Sequence, residues 1–95
     1  MKQPITIASC QFSVEADISR NRDTILAQIK EAADQGARII HFSETALSGY
    51  AGVDIPSAET IDWDQLCSAT REICQRAADH GVWVLLGSTH RLGPD

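Results

Sequence analysis

Two patterns of apolar residues alternate along the chain, one typical of buried strands and the other of amphipathic helices. Short apolar runs occur at residues 5–12 (ITIASCQF), at 38–42 (RIIHF) and from Val82 (VWVLLGS). Apolar residues recur at spacings of three, four and seven from about Ile18 to Gln35, and again after Asp62. The order predicts strand, helix, strand, helix, strand in a parallel sheet, with the first strand buried on both faces.

The predicted helices carry local signals for their ends. The stretch DWDQ from Asp62 resembles a capping box, in which an Asp62 oxygen accepts a backbone N–H at the start of the helix. Gly36 and Gly81 follow the two periodic stretches and predict where each helix stops. The segment AADQGARIIHFSE from Ala32 is repeated in type, 45 residues further on, as AADHGVWVLLGST from Ala77. Two similar helix-to-strand joints favour parallel strands with right-handed crossovers.

Glu44 follows the second predicted strand directly. Ligands of open parallel sheets bind beyond the carboxyl ends of the strands, so Glu44, Thr89 and residues 9–11 are expected to face one crevice. A carboxylate placed there can act as a general base. The alternative is that Glu44 only caps a turn, by accepting the N–H of Ala46 or Leu47. The spacing alone leaves both interpretations open.

Composition limits the classes of partner and compartment. The 95 residues carry a formal net charge of -5 and are 43% hydrophobic, which describes one globular unit with one core. The eight Lys and Arg are scattered, which disfavours nucleic acid as a partner. The first residues lack the apolar core of a signal peptide, and no apolar run approaches about 18 residues. No membrane partner is therefore expected, and a cytoplasmic location follows by default.

The cysteines indicate neither a disulfide framework nor a metal site. Their number is odd and they lack CxxC spacing, which suits a reducing compartment. Cys67 and Cys74 lie seven residues apart on nearly one face of the second helix, and we expect both to be small buried groups. Cys10 lies near the end of the first strand, and a catalytic role for it would require a fast-reacting thiol with a lowered pKa.

The three histidines give weaker candidates. His41 lies within an apolar strand and is expected to be a core histidine. His80 precedes a helix-ending glycine, where a positive charge favours the helix carboxyl end. His90 follows Thr89 near the expected crevice, but a single histidine without carboxylate or cysteine partners makes no metal site.

Several of these residues together resemble the N-terminal part of the nitrilase superfamily of carbon-nitrogen hydrolases. The resemblance runs nearly from end to end and rests on these features: a first strand ending in Gln11, a helix carrying Asn21 and closing at AADQGA, the run RIIHF into Ser43 and Glu44, then Leu47, Gly49 and Tyr50, and the third strand VWVLLGS. The family usually has Phe-Pro-Glu at this point, so Ser43 in place of proline is a departure that affects the approach to the carboxylate.

The resemblance implies a fold and a reaction. The α/β fold would be a βαβαβ unit forming the first part of an αββα sandwich, and residues 1–95 would be the incomplete N-terminal portion of one carbon-nitrogen hydrolase domain. Glu44 would be the base that takes the proton from a cysteine thiol attacking a non-peptide amide or nitrile. Tyr50 would line the acyl pocket; the alternative is a tyrosine that only packs against its own loop. The resemblance also implies a homo-oligomer, a small-molecule substrate, and no cofactor or metal.

Only the glutamate of the implied Glu-Lys-Cys triad is present in this chain. The lysine and cysteine lie downstream in the family, and neither Lys2 nor Lys30 is placed to meet Glu44. We therefore expect the 95-residue chain alone to be inactive. A rival hypothesis is a non-catalytic, truncated α/β module that self-associates or binds a partner. A third, within the superfamily, is an acyl-transferase or the glutamine-hydrolysing domain of a larger synthetase.

Overall fold

Three parallel strands and two helices make up the structure, a computed structural model that describes residues 4–89. The elements are β1 (Ile7–Cys10), α1 (Ile18–Asp34), β2 (Ile39–Phe42), a 3₁₀ helix (Ala58–Thr60), α2 (Trp63–His80) and β3 (Trp83–Leu85). The strand order is β1-β2-β3, and both pairings are parallel. The predicted α/β fold and its βαβαβ order are confirmed.

The helix ends follow from the capping signals. An Asp62 carboxylate oxygen accepts the Gln65 N–H at 3.0 Å, as a capping residue does. The side chain of Gln65 does not complete the box; it donates to the Ser19 hydroxyl at 2.8 Å and so ties α2 to α1. Gly81 ends α2 in the left-handed region at φ +66°, and Gly36 follows α1 at φ +91°. Both predicted stops are confirmed.

One face of the sheet forms the core with the two helices. Side chains alternate across each strand, so Ile40 and Phe42 of β2 point toward the helices and are fully or almost fully buried. The helices contribute a buried stripe each, and the loop after β2 adds two residues: Ile25, Ile29, Leu66, Ala69, Ile73, Ala46 and Leu47. The core therefore lies between the helix layer and one side of β1, β2 and β3.

The opposite face of the sheet has no covering layer among residues 4–89. We call it the open face; it comprises Ile7, Ser9, Ile39, His41, Trp83 and Leu85. Ile7 is 61% exposed and Trp83 77%. The expectation of a first strand buried on both faces is therefore wrong for the described part of the chain, because helices cover only one side. His41 is exposed on the open face, so the expectation of a core histidine is also wrong.

Within the described residues, neither helix is both long and apolar enough to cross a membrane.

Candidate active site

Glu44 lies in a turn directly after β2, at the carboxyl edge of the sheet. We call residues 43–49 the glutamate turn. Among residues 4–89, the exposed Glu44 carboxylate has neither a hydrogen-bond nor an ion-pair partner. The Ala46 N–H donates to the Ser43 carbonyl at 3.3 Å and the Leu47 N–H to the Gly87 carbonyl at 3.3 Å. The turn-capping alternative is therefore wrong, since other groups take both N–H donors.

The backbone immediately after Glu44 is strained. Thr45 has φ +53°, a left-handed conformation that is unusual for a β-branched residue. Its hydroxyl donates to the Glu44 carbonyl at 2.8 Å. Such conformations persist only where surrounding contacts impose them, and they cluster at functional sites.

An open cleft of about 410 Å³ lies beside Glu44, between the ends of β2 and β3. Its lining is mainly apolar: His41, Phe42, Ser43, Glu44, Leu85, Leu86 and Gly87. Residues 9–11 line a different groove, between β1 and α1. The expected crevice therefore combines the ends of β2 and β3 but not that of β1.

Gly87 lets the segment after β3 pass very close to the glutamate turn. A Cβ at position 87 would lie 2.5 Å from the Thr45 nitrogen, 2.6 Å from the Ser43 oxygen and 2.9 Å from the Glu44 Cα. All three are backbone atoms, so no side-chain rotation relieves the contact. Only glycine fits at this position without displacing the turn.

Asn21 connects helix α1 to the other side of the glutamate turn. Its side chain is 1% exposed. Its amide nitrogen donates to the Glu15 carbonyl at 2.7 Å and the Leu47 carbonyl at 3.0 Å, and its oxygen accepts the Glu15 N–H at 2.9 Å. The amide is thereby satisfied within the core, as a buried polar group must be.

A buried hydroxyl makes a third connection to the turn. Ser48 is 1% exposed, and its oxygen accepts the Thr89 N–H at 3.0 Å and lies 3.1 Å from the Thr89 hydroxyl. Thr89, expected at the crevice, thus contacts the turn that carries Glu44 rather than the carboxylate itself.

Tyr50 lies just beyond the glutamate turn and is 48% exposed. Its N–H donates to an Asp54 carboxylate oxygen at 2.9 Å, and its carbonyl accepts the N–H groups of Val53 and Asp54. These contacts fold residues 50–55 into a tight loop. Tyr50 is not part of the lining of the cleft beside Glu44, so its role in substrate binding stays a prediction.

None of the three cysteines, all within the described residues, lines the cleft beside Glu44. Cys67 and Cys74 are exposed, so the expectation that both are buried is wrong. They share a face of α2, as predicted, but each follows by one residue a member of the buried stripe, Leu66 and Ile73, and so faces outward. Cys10 is half-buried, and its burial raises the pKa of its thiol, with a further contribution from the nearby charge of Glu31.

The raised pKa of Cys10 predicts slow alkylation near neutral pH. A raised pKa leaves less thiolate at pH 7, and the thiolate is the reacting species. We expect iodoacetamide to modify Cys67 and Cys74 before Cys10, with the lag of Cys10 shrinking as the pH rises to about 9, when followed by peptide mass spectrometry. Glu31→Gln should shorten the lag at pH 7. Modification of Cys10 first at pH 7 would contradict this and restore it as a candidate nucleophile.

No lysine approaches Glu44 within the described residues. Lys30 lies on the exposed side of α1 and pairs with Asp34 at 2.7 Å, a contact that raises the pKa of Lys30 and lowers that of Asp34. Lys2 and His90 lie outside the described residues. Between residues 4 and 89 there is no cluster of three or more His, Cys, Asp or Glu side chains suited to a metal ion.

Two of the residues that contact the glutamate turn, Asn21 and Gly87, could have been identified from the sequence. Asn21 falls on the buried stripe of α1, three residues after Ile18 and four before Ile25, where an amide needs internal partners. Gly87 follows an apolar strand, where glycine often marks a close backbone approach. Ser48 has no comparable signal.

Comparison with known proteins shows what the chain as a whole is similar to. The family model described as carbon-nitrogen hydrolase matches residues 6–95. Among solved structures, an amidase from Nesterenkonia sp. is similar, with a TM-score of 0.70 and 26% sequence identity. The similarity covers 90% of this chain and 33% of the amidase, so the chain spans about a third of that protein's length. A comparison with curated proteins gave no match.

Proposed function

The chain belongs to the carbon-nitrogen hydrolase family, and on that premise we propose that it is the N-terminal portion of an enzyme that hydrolyses a small non-peptide amide or nitrile. Glu44 is the general base of this enzyme. The observation that carries the proposal is the Glu44 carboxylate itself, which has no partner among residues 4–89 although its turn is held by neighbours on two sides.

The proposed reaction uses Glu44 together with a lysine and a cysteine from another part of the polypeptide. Glu44 takes the thiol proton while the sulfur forms a bond to the amide or nitrile carbon, and the lysine stabilises the charge that develops on the intermediate. For an amide, the proton then passes to the leaving amine as the C–N bond breaks. Water hydrolyses the resulting thioester. No cofactor or metal takes part.

The environment of Glu44 supports this role. The carboxylate borders a cleft of about 410 Å³ at the carboxyl edge of the sheet, with mainly apolar walls. A general base needs a free carboxylate oxygen within reach of the proton it removes. Tyr50, in the neighbouring loop, is proposed to contact the acyl part of the substrate.

Nucleic acid and membrane are not proposed as partners, in keeping with a net charge of -5 and scattered basic residues.

The open face supports the proposal that residues 1–95 are part of a larger domain. Trp83 at 77% exposure and Leu85 at 57% make an apolar surface of a kind that single domains rarely leave uncovered. A second sheet of the same polypeptide would cover it in an αββα sandwich. A homo-oligomer is proposed for the assembled enzyme.

A second candidate function rests on the same face. A non-catalytic module would cover the apolar surface by self-association or by a protein partner. Sedimentation of the 95-residue chain tests this second candidate. A stable dimer that Trp83→Ser dissociates would favour the module. A monomer would count against it.

The proposed function is tested with the product of the complete reading frame that contains this chain. We expect it to release ammonia from members of a panel of small amides and nitriles. Added hydroxylamine should divert the acyl group of an amide substrate to a hydroxamate, which reports a thioester intermediate. A folded product without turnover on any member of the panel would contradict the proposal. Transfer to added amines in preference to water would identify an acyl-transferase.

A further inference from the structure

The Glu44 carboxylate has no hydrogen-bond or ion-pair partner in the described part of the chain, so the backbone of the glutamate turn is what constrains where this side chain stands. Leu47 of the glutamate turn is fully buried. The Leu47 N–H donates to the Gly87 carbonyl, and its carbonyl accepts from Asn21. The peptide groups on both sides of this residue therefore have fixed partners, three residues from Glu44.

The contact with Asn21 is a hydrogen bond that reaches the turn from helix α1. The amide nitrogen of Asn21 divides its two N–H groups between the Glu15 and Leu47 carbonyls, at 2.7 and 3.0 Å. The oxygen accepts the Glu15 N–H at 2.9 Å. With the side chain 1% exposed, water cannot replace these bonds without opening the core. Helix α1, the segment before it and the turn after β2 are thereby held in one arrangement.

We propose that Asn21 is a positioning residue for the proposed catalytic base: its hydrogen bond to the Leu47 carbonyl holds the glutamate turn against helix α1 and the segment at Glu15, and so sets where the Glu44 carboxylate stands. This inference rests on the proposed function of Glu44. Asn21 does not border the cleft, so it acts through the turn and not on the substrate. Since misplacement of a catalytic group by about 1 Å can cost about 100-fold in rate, loss of this bond acts on the chemical step.

The test uses two variants of the complete enzyme. Asn21→Ala removes all three hydrogen bonds. Asn21→Asp has nearly the same size and still accepts the Glu15 N–H, but places an oxygen opposite the Glu15 and Leu47 carbonyls. We expect both variants to lower kcat about 10- to 100-fold, with KM changed less than about threefold, at a temperature where circular dichroism shows them folded.

Gly36→Ala is the matched control for general destabilisation. It lies on the connection between α1 and β2, at φ +91°, with nothing within 4 Å of an added Cβ, so it strains the backbone without touching the glutamate turn. We expect a lowered Tm for this variant with kcat unchanged. A wild-type kcat in either folded Asn21 variant would overturn the inference. So would failure of both variants to fold, because Asn21 would then serve overall stability.

Measuring Glu44→Gln in parallel separates the two proposals. If Glu44→Gln is inactive and the Asn21 variants keep the wild-type kcat, only the positioning role of Asn21 fails. If Glu44→Gln keeps full activity, the proposed function of Glu44 fails, and the role of Asn21 fails with it.

Discussion

Glu44→Gln is expected to lower kcat for amide or nitrile hydrolysis by the complete enzyme about 10²- to 10⁴-fold, the contribution typical of a positioned general base. Glutamine has nearly the same shape but cannot accept the thiol proton. The fold should be unaffected, because Glu44 is exposed and its side chain makes no hydrogen bond within residues 4–89. Urea unfolding should therefore give a free energy of unfolding within about 0.5 kcal/mol of wild type.

Glu31→Gln is the matched control, because it makes the same chemical change at an exposed carboxylate of α1 that does not border the Glu44 cleft. Its kcat should equal that of the wild type. Comparable losses in both variants would indicate a general effect of removing negative charge. Full activity of Glu44→Gln would exclude Glu44 as the base.

Gly87→Ala is expected to cost roughly 2–3 kcal/mol of folding free energy, as overpacking of a filled interior does. The added Cβ would lie 2.5–2.9 Å from backbone atoms of Ser43, Glu44 and Thr45. Either the segment after β3 or the glutamate turn must move, and the hydrogen bond from the Leu47 N–H to the Gly87 carbonyl is then lengthened or lost. Urea denaturation monitored by circular dichroism measures the cost.

Gly81→Ala separates the steric cost from the cost of glycine's backbone freedom. Gly81 has φ +66° and nothing within 4 Å of an added Cβ, so its replacement carries only the left-handed penalty of about 1–2 kcal/mol. Gly87 has no positive φ, so its penalty is steric alone. In the complete enzyme, Gly87→Ala should lower kcat when Glu44 is present but add no further loss to Glu44→Gln. Gly81→Ala should leave kcat unchanged in both backgrounds. A Gly87→Ala variant with wild-type stability would contradict the close approach.

The helix ends are predictable from sequence because their signals are local. The oxygen of Asp62 and the left-handed glycines act on backbone groups within a few residues of themselves. The strand positions follow for a similar reason, since each apolar run is short and those of β2 and β3 come soon after a helix end. The resemblance to the carbon-nitrogen hydrolase family, drawn from residues 11–50 and the third strand, is confirmed by the family match over residues 6–95.

Burial is less predictable because it depends on what covers each element. An apolar β1 has the same sequence pattern whether one or both of its faces are covered, and helices cover one face here. His41 is exposed for that reason. Cys67 and Cys74 differ from the buried stripe of α2 by about 100° of helix rotation, a difference that spacing between the two cysteines cannot reveal.

The location of Glu44 is predictable from sequence, but its surroundings are not. A carboxylate at the end of a parallel strand follows from the order of elements alone. The contacts that hold its turn join residues 26 and 41 positions apart, Asn21 with Leu47 and Ser48 with Thr89. No local pattern specifies which buried polar groups meet across such distances, so these contacts required the folded structure.

The intact mass of the native polypeptide carrying this chain, together with the sequence that follows it in the same reading frame, decides whether Glu44 has catalytic partners. We predict a product about three times the 10.3 kDa of this chain, as its 33% coverage of the amidase suggests, with a lysine and then a cysteine after further strands. A native product of about 10.3 kDa would contradict the proposed function, because Glu44 would then lack the lysine and cysteine that the reaction needs.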